Sequence, residues 1–253
     1  MKTVLVIGIG AGNPDHLTLQ ALKALNRVDV FFLFDKGPAK HGLNDLRRDL
    51  CTRLATERPW RLVQADNPER GPDGDSYTGA VAQLNEDKQQ VLERLMDQHL
   101  ADGECAGILV WGDPSLYDST LRILQAILAS GRQVFEYQVI PGISAVQALA
   151  ASHKVTLNDI GGSVRISPGR QLPTQLAPGE SQVVMLDAHQ AFERLRGQGL
   201  FIWWGAYVGS VDEVLIAGPL DEVADEIIRV REQARMRHGW IMDTYLLRPI
   251  SRR

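Results

Sequence analysis

The chain has few cysteines for its length. Cys51 and Cys105 are the two cysteines among 253 residues. Two cysteines cannot build a disulfide framework or a cysteine-rich metal cluster, so the sequence favours a reducing compartment. We interpret both residues as small core side chains and expect a cytoplasmic location.

The chain also has no excess of positive charge and no long apolar run. The formal net charge is −4. The chain therefore lacks the excess of basic residues that a nucleic-acid-binding protein carries. Met1-Lys2-Thr3 leads directly into a short apolar run over residues 4–7, which does not fit a secretory signal peptide. Since no apolar run is long enough to cross a bilayer, we expect no membrane segment and no nucleic-acid partner.

The chain contains enough apolar residues, 44%, to form a substantial core. Strand-like and helix-like segments alternate, a pattern typical of a largely parallel, helix-covered sheet. The predicted class is α/β, with two α/β domains over residues 1–139 and 140–253. The predicted strands cover residues 4–7, 28–34, 61–63, 108–110, 133–140, 163–166, 182–186, 200–204, 214–217 and 240–247. The predicted helices cover residues 18–25, 43–54, 86–100, 121–130, 144–151, 191–196 and 219–237.

Three turns of small residues follow predicted strands. They are Gly8-Ile9-Gly10-Ala11-Gly12, Trp111-Gly112-Asp113-Pro114 and Pro141-Gly142-Ile143-Ser144-Ala145. Glycine allows a close backbone approach, and α/β proteins bind ligands at the carboxyl ends of their strands. The three turns therefore predict a ligand site.

The first turn alone also permits a dinucleotide-binding interpretation. Asp35, at the end of the next strand, would then contact a ribose. However, Asn13 stands where the dinucleotide pattern requires its third glycine, and Asp15 would repel a pyrophosphate. No Gly-Lys-Ser/Thr follows, which excludes a Walker-type loop. A dinucleotide-dependent oxidoreductase and a non-catalytic ligand carrier stay open as alternatives.

The three turns, taken together and in order, resemble the signatures of the tetrapyrrole (corrin/porphyrin) methylases. The first signature extends to Leu19, and the chain differs from the usual family pattern at Ala11 and Asn13, where proline and aspartate are common. The resemblance implies two α/β domains with an interdomain cleft, a homodimer, S-adenosylmethionine as cofactor and an anionic tetrapyrrole as substrate.

The resemblance also implies which residues contact the cofactor. Leu186 stands where the family often has methionine, and the neighbouring Met185 is the competing choice. The implied cofactor residues are Gly10, Ala11, Gly12, Trp111, Gly112, Asp113, Leu116, Ser144, Ala145, Met185, Leu186, Gly205, Ala206, Ala217 and Gly218.

Methyl transfer from a sulfonium is an in-line displacement that depends mainly on alignment and exclusion of water. The acid–base candidate is Asp35, with a turn or helix-capping role as the alternative. Arg70 is expected to pair with a substrate carboxylate and Tyr117 to position the substrate. A cationic rim of Lys36, Lys40, His41 and Arg47 would suit a polycarboxylate macrocycle. No metal site is predicted, because the histidines show no ligand spacing.

The long region over residues 36–77 and the ending over residues 240–248 resemble family members that methylate ring carbon 1 of precorrin-5 and release acetate, in vitamin B12 biosynthesis. Water must then attack an acetyl carbonyl, and Asp35, Asp75 and His41 are the candidates to activate it. The alternatives within the family are another precorrin C-methyltransferase or a diphthine-forming protein methylase.

Overall fold

The computed structural model describes residues 1–35, 41–68 and 77–250. The chain forms two compact units. The first contains Met1–Gly10 and Pro14–Ile143, and the second contains Ala11–Asn13 together with the chain from Ser144 onward. The predicted division into domains over residues 1–139 and 140–253 stays a prediction.

The first unit is built on a parallel five-stranded sheet with the order β3-β2-β4-β1-β5. Its strands are β1 (Lys2–Gly8), β2 (Val30–Asp35), β3 (Arg61–Asp66), β4 (Cys105–Val110) and β5 (Phe135–Ile140). Its helices are α1 (Leu19–Leu25), α2 (His41–Leu54), α3 (Tyr77–His99) and α4 (Thr120–Ser130), with a 3₁₀ turn over Pro14–His16. The prediction of a parallel sheet is confirmed for this unit.

Helices cover both faces of this sheet. Successive strand residues point to opposite sides, so each strand contributes side chains to both layers. Leu5 and Ile7 of β1 pack with α1 and α2, whereas Val4 and Val6 pack with α3 and α4. Cys51 and Cys105 are buried in the α1–α2 layer. Their interpretation as core residues is therefore confirmed.

Local sequence sets most helix boundaries. The Thr18 hydroxyl caps α1 by accepting a hydrogen bond from Ala21 N at 3.0 Å. Gly131 ends α4 with a φ of 68°, as predicted. The predicted start of α3 at residue 86 is wrong, because Val81 and Leu84 continue the helical spacing toward the amino end and the helix begins at residue 77.

The second unit contains a mixed five-stranded sheet with the order β6-β7-β10-β8-β9. Its strands are β6 (Ser163–Pro168), β7 (Glu180–Met185), β8 (Leu200–Ala206), β9 (Val214–Pro219) and β10 (Asp243–Pro249). Its helices are α5 (Ala145–His153) and α6 (Leu220–His238), with 3₁₀ segments over Gly169–Gln171 and Ala191–Leu195. Within the described residues, no helix of either unit has the length and apolar character needed to span a membrane.

The prediction of a largely parallel sheet is wrong for this unit, where β6 and β7 pair in parallel and the other pairs are antiparallel. The loop over residues 207–213 is too short for the crossover that a parallel β8–β9 pair would require. The final strand was also predicted to begin at Trp240. It begins at Asp243, because two carbonyls before it are already hydrogen-bonded to Tyr207. The Tyr207 hydroxyl donates to Trp240 O at 2.6 Å, and Tyr207 N–H donates to Met242 O at 2.9 Å.

A buried polar network ties β10 to α6. Arg231 Nε and Trp204 Nε1 both donate to Asp243 Oδ2, at 2.9 and 3.0 Å. Burial raises the pKa of Asp243, and the Arg231 guanidinium opposes that shift. Trp204 is fully buried, whereas Trp203 is half-buried and packs on Phe201 with a ring-centroid distance of 4.4 Å.

Replacing Asp243 with alanine should destabilise the protein by about 3–5 kcal/mol, because Arg231 would remain buried without its counter-ion. Urea unfolding measures this loss. The matched control is Asp225→Ala, which removes the carboxylate of an exposed pair with Arg196 and should change stability far less. Equal losses in the two variants would contradict the importance of the buried pair.

Candidate active site

The first two small-residue turns are joined through their backbones at the carboxyl edge of the parallel sheet. Ile9 N–H donates to Val110 O at 2.9 Å, directly beyond β1 and β4. Gly10 and Gly112 form an isolated bridge, with Gly112 N–H donating to Gly10 O at 2.8 Å and Gly10 N–H to Gly112 O at 3.3 Å. The first two turns therefore lie side by side, and the ligand site predicted from them stays a prediction.

The third turn packs against the other two, backbone on backbone. A Cβ atom added to Gly142 would lie 2.1 Å from Gly112 O and 2.9 Å from the carbonyl carbon of Gly8. A Cβ added to Gly8 would lie 2.6 Å from Gly142 N. No side chain fits at these positions, so the turns require glycine for steric reasons.

Asp113 fastens the second turn to the third. Its Oδ2 accepts a hydrogen bond from Gly142 N at 2.8 Å, and its Oδ1 accepts from Ser115 N at 2.8 Å and from the Ser115 hydroxyl. Burial acts to raise the pKa of Asp113, but the hydrogen bonds from Ser115 and Gly142 outweigh it and lower the pKa. The carboxylate therefore has a structural role here, and its predicted contact with the cofactor stays a prediction.

Asp35 lies at the same carboxyl edge, at the end of β2. Its two oxygens accept hydrogen bonds from Asn44 Nδ2 at 2.8 Å and Gln64 Nε2 at 2.5 Å. Arg48 donates to the Gln64 side-chain oxygen. Asp35 precedes the first described residue of α2 by six residues, and both its acid–base role and the turn or helix-capping alternative stay predictions. The amide donors give this carboxylate a fixed orientation.

The sheet opens between β2 and β4 toward this edge. These strands pair over Val30–Phe32 and Ala106–Ile108. Beyond that point β2 continues beside β3 to Asp35, and β4 continues beside β1 to Val110. The helices that follow β2 and β4 cover opposite faces, which is the arrangement that creates a ligand crevice in doubly wound sheets.

Arg47 of α2 reaches this opening. Its Nε donates to the main-chain oxygen of Leu109, a β4 residue beyond the last β2–β4 pair, at 3.3 Å. Burial lowers the pKa of Arg47, and the Asp118 carboxylate opposes that shift. Arg47 was predicted as part of a cationic rim. The structure places it half-buried at the split in the sheet.

Tyr117 and Leu116 follow the second turn. Tyr117 has a φ of 54° and its side chain is 43% exposed, while Leu116 is half-buried. A left-handed conformation at an aromatic residue is uncommon, costs about 1–3 kcal/mol and clusters at functional sites. The predicted substrate-positioning role of Tyr117 stays a prediction.

In the second unit, four of the predicted cofactor residues share one sheet edge. Met185 ends β7 and Ala206 ends β8, and they pair with the neighbouring β10 residues Thr244 and Asp243. Gly205 precedes Ala206. Leu186 follows Met185 with a φ of 52° and is 60% exposed. Both members of the Met185–Leu186 alternative therefore reach this edge.

The other cofactor residues predicted for the second unit are more dispersed. Ala217 and Gly218 lie inside β9, opposite Trp203 and Ile202, and not at that edge. The Ser144 hydroxyl caps α5 by accepting from Val146 N at 3.1 Å, and Ala145 is the first residue of the helix. Ala11 is buried, and a Cβ added to Gly12 would lie 3.2 Å from the Ser210 side chain.

Several predicted residues lie outside the described part of the chain. They are Lys36, Lys40, Arg70, Asp75 and the side chain of His41. Among the residues that the structure describes, no group of three potential ligands can hold a metal ion.

Sequence reasoning missed Asn44 and Gln64 as partners of Asp35, because they come from different elements and no local motif marks them.

The chain was compared with known proteins. A family profile of the tetrapyrrole (corrin/porphyrin) methylases matches residues 3–224. A precorrin-6A synthase [deacetylating] from Sinorhizobium sp is 46% identical over 250 residues, covering 98% of this chain and 95% of the relative. A uroporphyrinogen-III C-methyltransferase from Bacillus subtilis (strain 168) is 27% identical, covering 67% of this chain and 56% of that protein.

Solved structures show the same architecture. A cobalamin synthesis related protein, CobF, from Corynebacterium diphtheriae has a TM-score of 0.83 and 35% identity, covering 99% of this chain and 100% of that one. A uroporphyrin-III C-methyl transferase from Thermus thermophilus, complexed with S-adenosylhomocysteine, has a TM-score of 0.60 at 17% identity, covering 97% and 96%. The latter supports the fold alone. By the extent of the profile match and the identity to a full-length relative, this chain belongs to the tetrapyrrole (corrin/porphyrin) methylases.

Proposed function

We propose that the protein is an S-adenosylmethionine-dependent C-methyltransferase of cobalamin biosynthesis. It methylates precorrin-5 at ring carbon 1 and releases acetate, giving precorrin-6A. The observation that carries this proposal is the 46% identity, over 98% of the chain, to a relative that bears the name of this activity. The structural similarity to CobF at 35% identity supports the same pathway.

The first unit offers a surface suited to the cofactor. The backbones of Gly8, Gly112 and Gly142 pack against one another, and this packing fixes the relative positions of the three turns that the family resemblance assigns to the cofactor. Gly10, Trp111 and Gly112 would hold the cofactor through backbone groups. When bound, S-adenosylmethionine supplies an electrophilic methyl group. The protein then contributes mainly alignment and exclusion of water.

Asp35 is the proton acceptor in this proposal. Water attacks the acetyl carbonyl and loses a proton, which a carboxylate within reach can take. The bond between the carbonyl carbon and the macrocycle then breaks, its electron pair stays on the macrocycle, and acetate leaves. Asn44 and Gln64 hold the two oxygens of Asp35 in place, which favours one productive orientation. Asp75 and His41 remain alternative bases for the same step.

The finer parts of the proposal follow the family resemblance. Arg70 and the cationic rim of Lys36, Lys40, His41 and Arg47 would contact substrate carboxylates, and Tyr117 would position the macrocycle. The remaining predicted cofactor residues of the second unit belong to the proposal in the same way. We also propose a cytoplasmic homodimer, which sedimentation of the purified protein and cell fractionation would test.

Incubating the purified protein with precorrin-5 and methyl-labelled S-adenosylmethionine should give one labelled methyl group and one acetate per product molecule. Mass spectrometry of the tetrapyrrole and acetate quantification measure both. Absence of both products would contradict the proposal. Methylation without acetate would indicate another precorrin C-methyltransferase, and preferential calorimetric binding of NADPH would favour the oxidoreductase alternative.

Asp35→Asn should lower turnover by about 10²-fold, because the group that accepts the proton is lost. Binding of S-adenosylhomocysteine and the thermal midpoint should stay close to those of the unmodified protein. The control variant is Asp49→Asn, which removes a carboxylate from the exposed i,i+4 pair with Arg53 and should leave turnover unchanged. Full activity of Asp35→Asn would show that another group accepts the proton.

Gly142→Ala should weaken S-adenosylhomocysteine binding about ten-fold or more, because its Cβ would meet Gly112 O at 2.1 Å and force the turns apart. Isothermal titration calorimetry measures the affinity. The control is Gly131→Ala, whose Cβ would meet no atom within 4 Å although its φ is 68°. It should lower stability without changing affinity. Equal affinity in both variants would contradict the proposed role of the three turns in binding the cofactor.

A further inference from the structure

The indole of Trp111 holds a hydrogen-bond donor that the described residues leave unpaired. Its Nε1 atom is buried and has no partner among them. An unpaired buried donor costs about 1–3 kcal/mol, so a protein retains one only for a reason. Trp60, which packs on the same core cluster, donates its Nε1 hydrogen to Ala55 O at 2.9 Å. The two indoles of this cluster therefore differ, since Trp60 has a partner and Trp111 has none among the described residues.

Strand alternation places this indole on the α1–α2 face of the sheet. Leu109 and Trp111 pack with that layer, whereas Ile108 and Val110 pack with the α3–α4 layer. Arg47 comes from α2 on the same face and donates to Leu109 O. The Arg47 guanidinium therefore contacts Leu109, and the unpaired N–H donor of Trp111 lies two residues further along the chain.

Both groups donate hydrogen bonds and neither can accept one. Their natural complement is an anionic oxygen, and a carboxylate can accept hydrogen bonds from both at once. The opening between β2 and β4 provides the position, since the ladder between these strands ends at Phe32 and Ile108. Partial burial of Arg47 strengthens its attraction for an anion, because electrostatic interactions grow as water is excluded.

We propose that the opening between β2 and β4 is a substrate subsite that receives one peripheral carboxylate of the tetrapyrrole, held by Arg47 and the indole N–H of Trp111. This inference rests on the proposed function and extends it by assigning a specificity-determining contact. The backbone of the 111–114 turn serves the cofactor, and the Trp111 side chain serves the substrate. The subsite selects a macrocycle that carries a carboxylate at this position.

Direct binding of precorrin-5 in the presence of S-adenosylhomocysteine tests the subsite without requiring turnover. Arg47→Gln should raise the Kd for precorrin-5 about ten-fold or more, through loss of a charge-assisted contact. Its affinity for S-adenosylhomocysteine should not change. The matched control is Arg53→Gln, which removes an exposed positive charge from the same helix and should leave both affinities unchanged.

Trp111→Phe and Trp60→Phe form a second matched pair. Trp111→Phe removes a donor that is unpaired among the described residues of the free protein, so its thermal midpoint should fall less than that of Trp60→Phe while the Kd for precorrin-5 increases several-fold. Trp60→Phe loses a satisfied hydrogen bond, so its midpoint should fall while the Kd is unchanged. If both groups hold one carboxylate, the effects of Arg47→Gln and Trp111→Phe should not add in the double variant.

The outcomes separate this inference from the proposed function. Turnover of precorrin-5 with binding that is insensitive to Arg47→Gln and Trp111→Phe would overturn the subsite and leave the function standing. Loss of S-adenosylhomocysteine affinity in Trp111→Phe would also overturn it, because the indole would then serve the cofactor. Binding that depends on both residues without methylation would support the subsite and contradict the proposed reaction.

Discussion

The close packing of three backbone turns is the constraint on which the candidate site depends. Gly8, Gly112 and Gly142 approach within distances that no Cβ atom tolerates, and Asp113 joins two of the turns through its carboxylate. The turns follow three neighbouring parallel strands, so the sheet register fixes their relative positions. Turns held in fixed relative positions would hold the cofactor in one orientation, and in-line methyl transfer depends on such alignment.

Charged groups at the same edge are oriented by neutral partners. Asp35 accepts hydrogen bonds from two side-chain amides, and Asp113 accepts from two main-chain amides and a hydroxyl. Arg47 is anchored by a main-chain oxygen at the place where the sheet splits. These contacts hold the ionic groups in fixed orientations, so little reorganisation is needed when substrate charges arrive.

The sequence predicted the first unit well because its features are local. Buried parallel strands appear as short β-branched runs, and the turns after them contain the glycines that close approach requires. The second unit was predicted less accurately, since strand direction depends on which strands pair and on loop length. The start of β10 depends on two hydrogen bonds that Tyr207 donates to the carbonyls of Trp240 and Met242. No local sequence pattern reveals these bonds.

The candidate site shows the same limit. Asp35 was predicted because it ends a strand, but its partners Asn44 and Gln64 lie 9 and 29 residues away along the chain. The split between β2 and β4, and the unpaired donor of Trp111, are properties of tertiary packing. Residue types and spacing indicated which turns matter, and three-dimensional pairing determined what each side chain can do.

The most direct measurement is a crystal structure of the protein with S-adenosylhomocysteine. We expect the nucleoside and homocysteine to lie against the main chain of Gly10, Gly112 and Gly142, with Asp113 still accepting a hydrogen bond from Gly142 N. A complex in which the ligand binds away from these turns, or in which they separate on binding, would contradict the central claim.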